Sequence, residues 1–142
     1  MVNSLAVTLT PRRQRSLNGI LRQARIGDKI EIKLGPAKET LKALKGPFDL
    51  CFIDADKESY SDYYDRTIDL VRQGGLIVLD NMLRGGMVLS PRDQDSWTIA
   101  ALNDRIQKDQ RVGERSASRS GRSHARLSAL MRSSAAARYR SK

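Results

Sequence analysis

The stretches FDLCFIDADK (residues 48–57) and GGLIVLDN (residues 74–81) decide the fold. Each is a mostly apolar run that closes on an acid. Phe48–Ile53 ends at Asp54, and Leu76–Leu79 ends at Asp80. Short apolar runs of this kind suit strands buried in a parallel sheet. Between them, Tyr60–Arg72 places Tyr60, Tyr64, Thr67, Ile68 and Val71 at helical spacing, and Gly74-Gly75 is expected to stop that helix. A strand, a helix and a second strand in this order predict a βα unit and hence a parallel sheet.

Working outward, Lys29–Leu34 alternates, with Ile30, Ile32 and Leu34 on one face, which predicts a strand broken by Gly35-Pro36. Lys38–Lys45 is a short helix stopped by Gly46-Pro47. Ser96–Lys108 is a further helix, with Asp95 or Ser96 as its N-cap. The fold class read from these elements is α/β.

The formal net charge of +10 over 142 residues first suggests an anionic partner such as nucleic acid. Its distribution points elsewhere. Residues 1–27 hold five arginines and no acid, and residues 113–142 hold seven arginines and one lysine against one glutamate. Residues 28–112 hold 13 basic and 15 acidic side chains, as an ordinary globular segment does. Three zones follow: a basic leading segment over 1–27, a domain over 28–112, and an Arg/Ser/Ala-rich tail over 113–142, expected to be disordered because it offers little apolar surface to bury. The leading segment fits an organelle transit peptide, a basic nucleic-acid arm, or a start foreign to the domain. The single cysteine, Cys51, excludes an internal disulfide and makes a reducing, cytoplasmic setting the default. No apolar run has the length of a membrane span.

If the two acid-ended strands are neighbours, Asp54, Asp80 and Asn81 converge beyond their carboxyl ends, where open parallel sheets bind ligands. Two carboxylates and an amide are hard oxygen donors, suited to Mg²⁺ or Ca²⁺. A cation also offsets the repulsion of clustered carboxylates. Lys57 stands three residues after Asp54 in the same loop, placed to take a proton from a hydroxyl held there. Taken singly, each residue has a plainer role: an Asp at a strand end forms turns, a lysine is solvated, and Tyr60, Tyr63 and Tyr64 fill a core. The combination carries the signal. Asp54-x-Asp56 after an apolar strand also suits a phosphoryl-transfer site, but the hydroxyl residue such a site needs two places further on is absent, Ser59 being three on.

LGPAKETL, GPFDLCFIDADKESYSDYYD, VRQGGLIVLDNMLRGGMV and DSWTIAALNDRIQKDQRV resemble, in order and spacing, the cation-dependent O-methyltransferases that include the caffeoyl-CoA and catechol enzymes. The resemblance implies a Rossmann-like class I methyltransferase sheet. It implies Asp54, Asp80 and Asn81 as ligands of a divalent cation (Mg or Ca), with Asp54 and Lys57 in catalytic roles, Lys57 as the general base. It places Ala37, Asp56 and Tyr63 against S-adenosylmethionine. The implied reaction is methyl transfer to a metal-bound phenolic or catecholic hydroxyl, and the intact family member is implied to be a homodimer.

Two departures from the family pattern stand out. Arg84 occupies a place where bacterial members often carry an aromatic that shapes the acceptor pocket. Residues 1–27 also lack the E-x-G-x-x-x-G turn that lets the backbone approach the cofactor, and the pattern again lapses after DQRV. The sequence therefore reads as a partial domain without the first two strands and the closing strands, its arginine-rich flanks suggesting out-of-frame coding sequence. On that reading the chain as written is not expected to bind the cofactor.

Overall fold

The computed structural model describes residues 31–117 and 127–132. The chain divides into two compact units, Met1–Lys45 and Gly46–Lys142. In the first, helix α1 (Ala37–Ala43) starts after Pro36, whose carbonyl accepts from the Glu39 and Thr40 amides at 3.1 Å. The strand expected over Lys29–Leu34 is not formed across its described residues, Glu31–Leu34. Lys29 and Ile30 lie outside the described residues. A strand exists through its ladder to a neighbour, and an alternating sequence does not by itself supply that neighbour.

The second unit runs β1 (Phe48–Ile53), α2 (Tyr60–Leu70), β2 (Val71–Leu79), α3 (Gln94–Lys108), β3 (Val112–Ala117) and β4 (Leu127–Arg132). Short 3₁₀ turns cover Lys57–Ser59 and Arg84–Leu89. The strands form one sheet in the order β1-β2-β4-β3, with β1 parallel to β2 and the two remaining pairs antiparallel. The α/β class and the parallel pair are therefore as read from the sequence.

The closing strands are a correction. The tail expected to be disordered contributes β3, almost entirely, and all of β4. β4 pairs along β2 from Leu76↔Met131 to Leu79↔Ser128 and so occupies the edge of β2 that β1 leaves open. Ladder bonds join backbone N–H and C=O groups, so an arginine- and serine-rich composition does not forbid them. A local signal was present in Leu127–Arg132, where four of six residues are apolar inside an otherwise Arg/Ser/Ala-rich tail.

Helix α2 ends at Leu70, not at the glycine pair, because Val71 is already extended (φ −86°, ψ 133°) and pairs with Phe48. The register then jumps, with Leu50 opposite Leu76, and Gly74 (φ +72°) and Gly75 take up the extra residues. A Cβ on Gly75 would lie 2.6 Å from Val71 Cγ1 and 2.9 Å from the Asp49 carbonyl oxygen. The glycines thus permit a bulge against β1 instead of capping a helix.

Tyr60, Tyr63, Tyr64, Thr67 and Ile68 form the buried face of α2, which packs on β1 and β2. In β2 burial alternates, with Ile77 and Leu79 fully enclosed. Ile99, Leu102 and Ile106 bury one stripe of α3, which packs against α2. β1 differs from expectation. Only Ile53 is buried, whereas Leu50 and Phe52 remain 53% and 54% exposed; among the described residues β1 is an edge strand of the sheet. The N-cap of α3 is Asp93, not Asp95 or Ser96. Asp93 accepts from the Ser96 amide at 2.7 Å, and the Ser96 hydroxyl accepts from the Asp93 amide at 3.1 Å. Serine closes this capping box in place of the usual Glu or Gln, which hid it in the sequence.

Beyond α3, the Asp109 carboxylate accepts from Tyr64 Oη at 3.0 Å, from the Arg111 amide at 2.9 Å and from Arg111 Nη2 at 2.6 Å. These bonds, those from Arg111 foremost, hold its pKa at about 2. Because the folded value lies below the unfolded one of about 3.9, the stabilisation is present above about pH 4 and is lost as pH falls toward 2. Replacing Asp109 with Ala is expected to lower the unfolding free energy by about 2 kcal/mol at neutral pH. It should also flatten the acid limb, as urea titrations at several pH values would read. For Gly75→Ala, the crowding at the bulge predicts a loss of about 1–3 kcal/mol by the same measurement.

Candidate active site at the carboxyl edge of the parallel strands

Ile53 pairs with Leu79, so the next residues, Asp54 and Asp80, leave the sheet side by side. The Asp80 amide donates to the Ile53 carbonyl at 3.0 Å and extends the ladder to the base of the site. Asn81 follows in the left-handed region (φ 63°), and its amide donates to Asp80 Oδ1 at 2.7 Å. The Arg84 amide donates to the Asn81 carbonyl at 3.1 Å and closes the turn. Three of the expected ligands therefore sit at one sheet edge.

Lys57 is delivered by the 3₁₀ turn that follows the Asp54 loop. Its Nζ lies 3.6 Å from Asp54 Oδ1, and its side chain is only 10% exposed while that of Asp54 is 56% exposed. Lys57 Nζ also donates to Tyr60 Oη and stands 4.1 Å from the centre of that ring. Tyr60 Oη in turn reaches the carbonyl oxygens of Asp80 at 3.1 Å and Ile53 at 3.3 Å. Burial, reinforced by the charges of Asp54, Asp80 and Asp56, pushes the Tyr60 phenol well above its ordinary range, so it stays neutral. Tyr60 thus joins the core to the site. Its helical spacing alone marks Tyr60 as a core residue; its place three residues after Lys57 is the local signal of the second role.

Tyr63 Oη donates to Asp56 Oδ1 at 2.6 Å. Burial opposes ionisation of Asp56, but hydrogen bonds from Ser59 and Tyr63 outweigh it and hold the carboxyl below its usual value. The Tyr63 phenol is pushed up to about 12, by burial first and then by the bond to Asp56. The pair is therefore an anionic acceptor with a neutral donor fixed to one oxygen. Ala37, the remaining expected cofactor contact, begins α1 in the first unit.

Arg84 does not present a free cation. Its Nη2 lies 3.3 Å from Asp95 and 3.6 Å from Asp93, at the start of α3. Asn103, unnoticed in the sequence, donates from Nδ2 to the Met82 carbonyl at 2.9 Å. Four residues after Ile99, it lies beside the buried stripe of α3, where an amide needs a partner.

Among the described residues, no three His, Cys, Asp or Glu side chains gather as a metal site. A cation held here therefore depends on the two carboxylates together with the Asn81 amide. That donor set, all hard oxygen at one edge, fits Mg²⁺ or Ca²⁺.

A family model described as O-methyltransferase matches residues 5–118. The chain belongs to the O-methyltransferase family. The match extends beyond both ends of the 28–112 segment whose motifs carry the resemblance. Catechol O-methyltransferase of Mycobacterium tuberculosis is 48% identical over 82 residues, covering 57% of this chain and 37% of that protein. A cofactor-bound protein from MTB superposes with a TM-score of 0.82 at 31% identity, over 89% of this chain and 60% of its own. An O-methyltransferase from Bacillus cereus in complex with SAH has the same fold, with a TM-score of 0.78 at 24% identity, over 89% of this chain and 62% of its own. The chain thus spans about two fifths of the length of the curated relative. Within the family fold, Tyr60→Phe is expected to cost about 1 kcal/mol, the value of one hydrogen bond. It should also release the Lys57 amine, seen as altered shifts of the lysine side chain in NMR spectra.

Proposed function

We propose that this O-methyltransferase sequence serves methyl transfer from S-adenosylmethionine to a phenolic or catecholic hydroxyl of a small molecule, assisted by a divalent cation. One observation carries the reading: in-register pairing of β1 and β2 brings Asp54 and Asp80 to one edge, with Lys57 shielded beside Asp54. The catechol acceptor of the mycobacterial relative and the SAH held by the Bacillus enzyme support the substrate and cofactor classes.

Asp54, Asp80 and Asn81 would hold the cation. S-adenosylmethionine supplies an electrophilic methyl group, and the cation supplies Lewis acidity toward the acceptor hydroxyl. Asp56, kept anionic by its hydrogen bonds from Tyr63 and Ser59, would accept from hydroxyl or amino groups of the cofactor. Lys57 Nζ, as the neutral amine, would take the acceptor's proton, and Tyr60, itself anchored to the Asp80 and Ile53 carbonyls, would set the direction of that nitrogen. Positioning of this kind supports general-base assistance of about 10²–10⁴-fold.

The nucleic-acid reading of the basic flanks gains no support from the family or from these relatives. Among the described residues, no helix is long and apolar enough to cross a membrane. The single cysteine of the chain, Cys51, suits a reducing, cytoplasmic setting.

Titration calorimetry with Mg²⁺ tests the cation site without turnover. Saturable heat is expected from the native chain and none from Asp80→Ala; equal heats would remove the ligand assignment. In methyl-transfer assays on a catechol, run with a version of the protein that carries the glycine-rich cofactor turn, Asp80→Ala should abolish the Mg²⁺-dependent rate, and Lys57→Ala should lower it about 10²-fold or more. Adding S-adenosylmethionine to the calorimeter tests the separate expectation that the chain lacks a cofactor cradle, which saturable binding would overturn.

A further inference from the structure

The turn after Asp80 is held in an unfavourable shape. Asn81 (φ 63°) and Arg84 (φ 46°) both lie in the left-handed region without being glycine. Such residues persist where the surroundings over-determine them, and they gather at functional sites. Most of the bonds that hold this turn are local. The Asn81 amide bonds Asp80 Oδ1, the Arg84 amide bonds the Asn81 carbonyl, and the Gly86 amide bonds the Leu83 carbonyl. Arg84 adds ion pairs to Asp93 and Asp95, at 3.6 and 3.3 Å, but its Nε is buried without a partner, so that latch is incompletely satisfied.

One bond ties the turn to a distant, rigid element. Asn103 Nδ2, in the middle of α3, donates at 2.9 Å to the carbonyl of Met82, the residue directly after Asn81. Met82 is itself fully buried, which fixes the side-chain end of the same residue. The backbone at Met82 is thus clamped from both sides, and the peptide leading back to Asn81 has little freedom. Removing the amide would leave a carbonyl unpaired beside the core and let the strained turn relax.

We propose that Asn103 is a positioning residue for the cation site: through Met82 it holds Asn81 in the conformation that turns its amide oxygen toward the position shared with Asp54 and Asp80. This rests on the ligand reading of the preceding subsection. Asn103 reaches the site only through the backbone it fixes and contributes no ligand atom. Supports of this kind are worth about 10–100-fold in metal affinity in other sites.

The test uses the full chain, Mn²⁺ as the probe and loss of the free-ion paramagnetic resonance signal as the readout. Asn103→Leu removes the donor, and Asn103→Asp removes it at nearly constant volume. Arg105→Gln, on the same helix but paired with Asp65, serves as control. Both Asn103 variants should raise the Mn²⁺ dissociation constant about tenfold or more, with Arg105→Gln near native. Amide hydrogen exchange at Arg84 reads the turn without metal and should quicken in both Asn103 variants, which keeps the proposal testable if one of them melts early. Native Mn²⁺ affinity in Asn103→Asp, or unchanged Arg84 exchange, overturns the positioning role while leaving the ligand set standing. A native chain that takes up no Mn²⁺, like Asp80→Ala, overturns the ligand reading and this inference with it.

Discussion

The Asp80 amide donates to the Ile53 carbonyl at 3.0 Å, one step beyond the pairing of Ile53 with Leu79. Much of the candidate site depends on that registration. Because side chains in a strand alternate between faces, a slip of one residue between β1 and β2 would turn one of the two aspartates to the other side of the sheet. The register is secured away from the site. The bulge at Gly74-Gly75 absorbs the extra residues at the start of β2, and Asp49 pairs with Arg72 across it at 2.5 Å. β4 then supplies the second edge of β2, so the strand that carries Asp80 is hydrogen-bonded on both sides.

Tyr60 shows how core and chemistry share one side chain. Its ring is fully buried, while its hydroxyl reaches the carbonyls of Ile53, which ends β1, and Asp80, which follows β2, and accepts from Lys57. The same residue thus packs α2 on the sheet and aims the candidate base. On the opposite flank, the Asn81–Arg84 turn is held in a costly backbone shape by Asn103 and by the acids that open α3. α2 and α3 therefore brace the two sides of the edge at which β1 and β2 end. β1 contributes to this edge without being buried in the way its composition suggests, since Leu50 and Phe52 stay half exposed.

Much of this was legible in the residues alone. Apolar runs ending in Asp54 and Asp80 identify two parallel strands, because a strand covered by helices reads as a continuous apolar stretch and its carboxyl end is where polar chemistry begins. The helical spacing of Tyr60 to Ile68 and of Ile99 to Ile106 locates two of the helices. Order and spacing of these motifs were enough to indicate the family. Such features are local, set by periodicity and by the polarity of neighbours in sequence.

What the tertiary structure alone decided is everything that depends on partners distant in the chain. Lys29–Leu34 alternates like a strand yet forms none over its described part, while an arginine-rich tail supplies two, because backbone ladders require an available edge more than a particular composition. Gly74-Gly75 read as a helix stop became a bulge, because Val71 had already found Phe48. Asn103 looked like an ordinary helix residue until its amide met the Met82 carbonyl 21 positions away in the sequence. The sequence by itself determined which residue types stand at the ends of the strands. Only the folded chain decided which of them meet, since hydrogen bonds and burial act between residues that sequence spacing does not bring together.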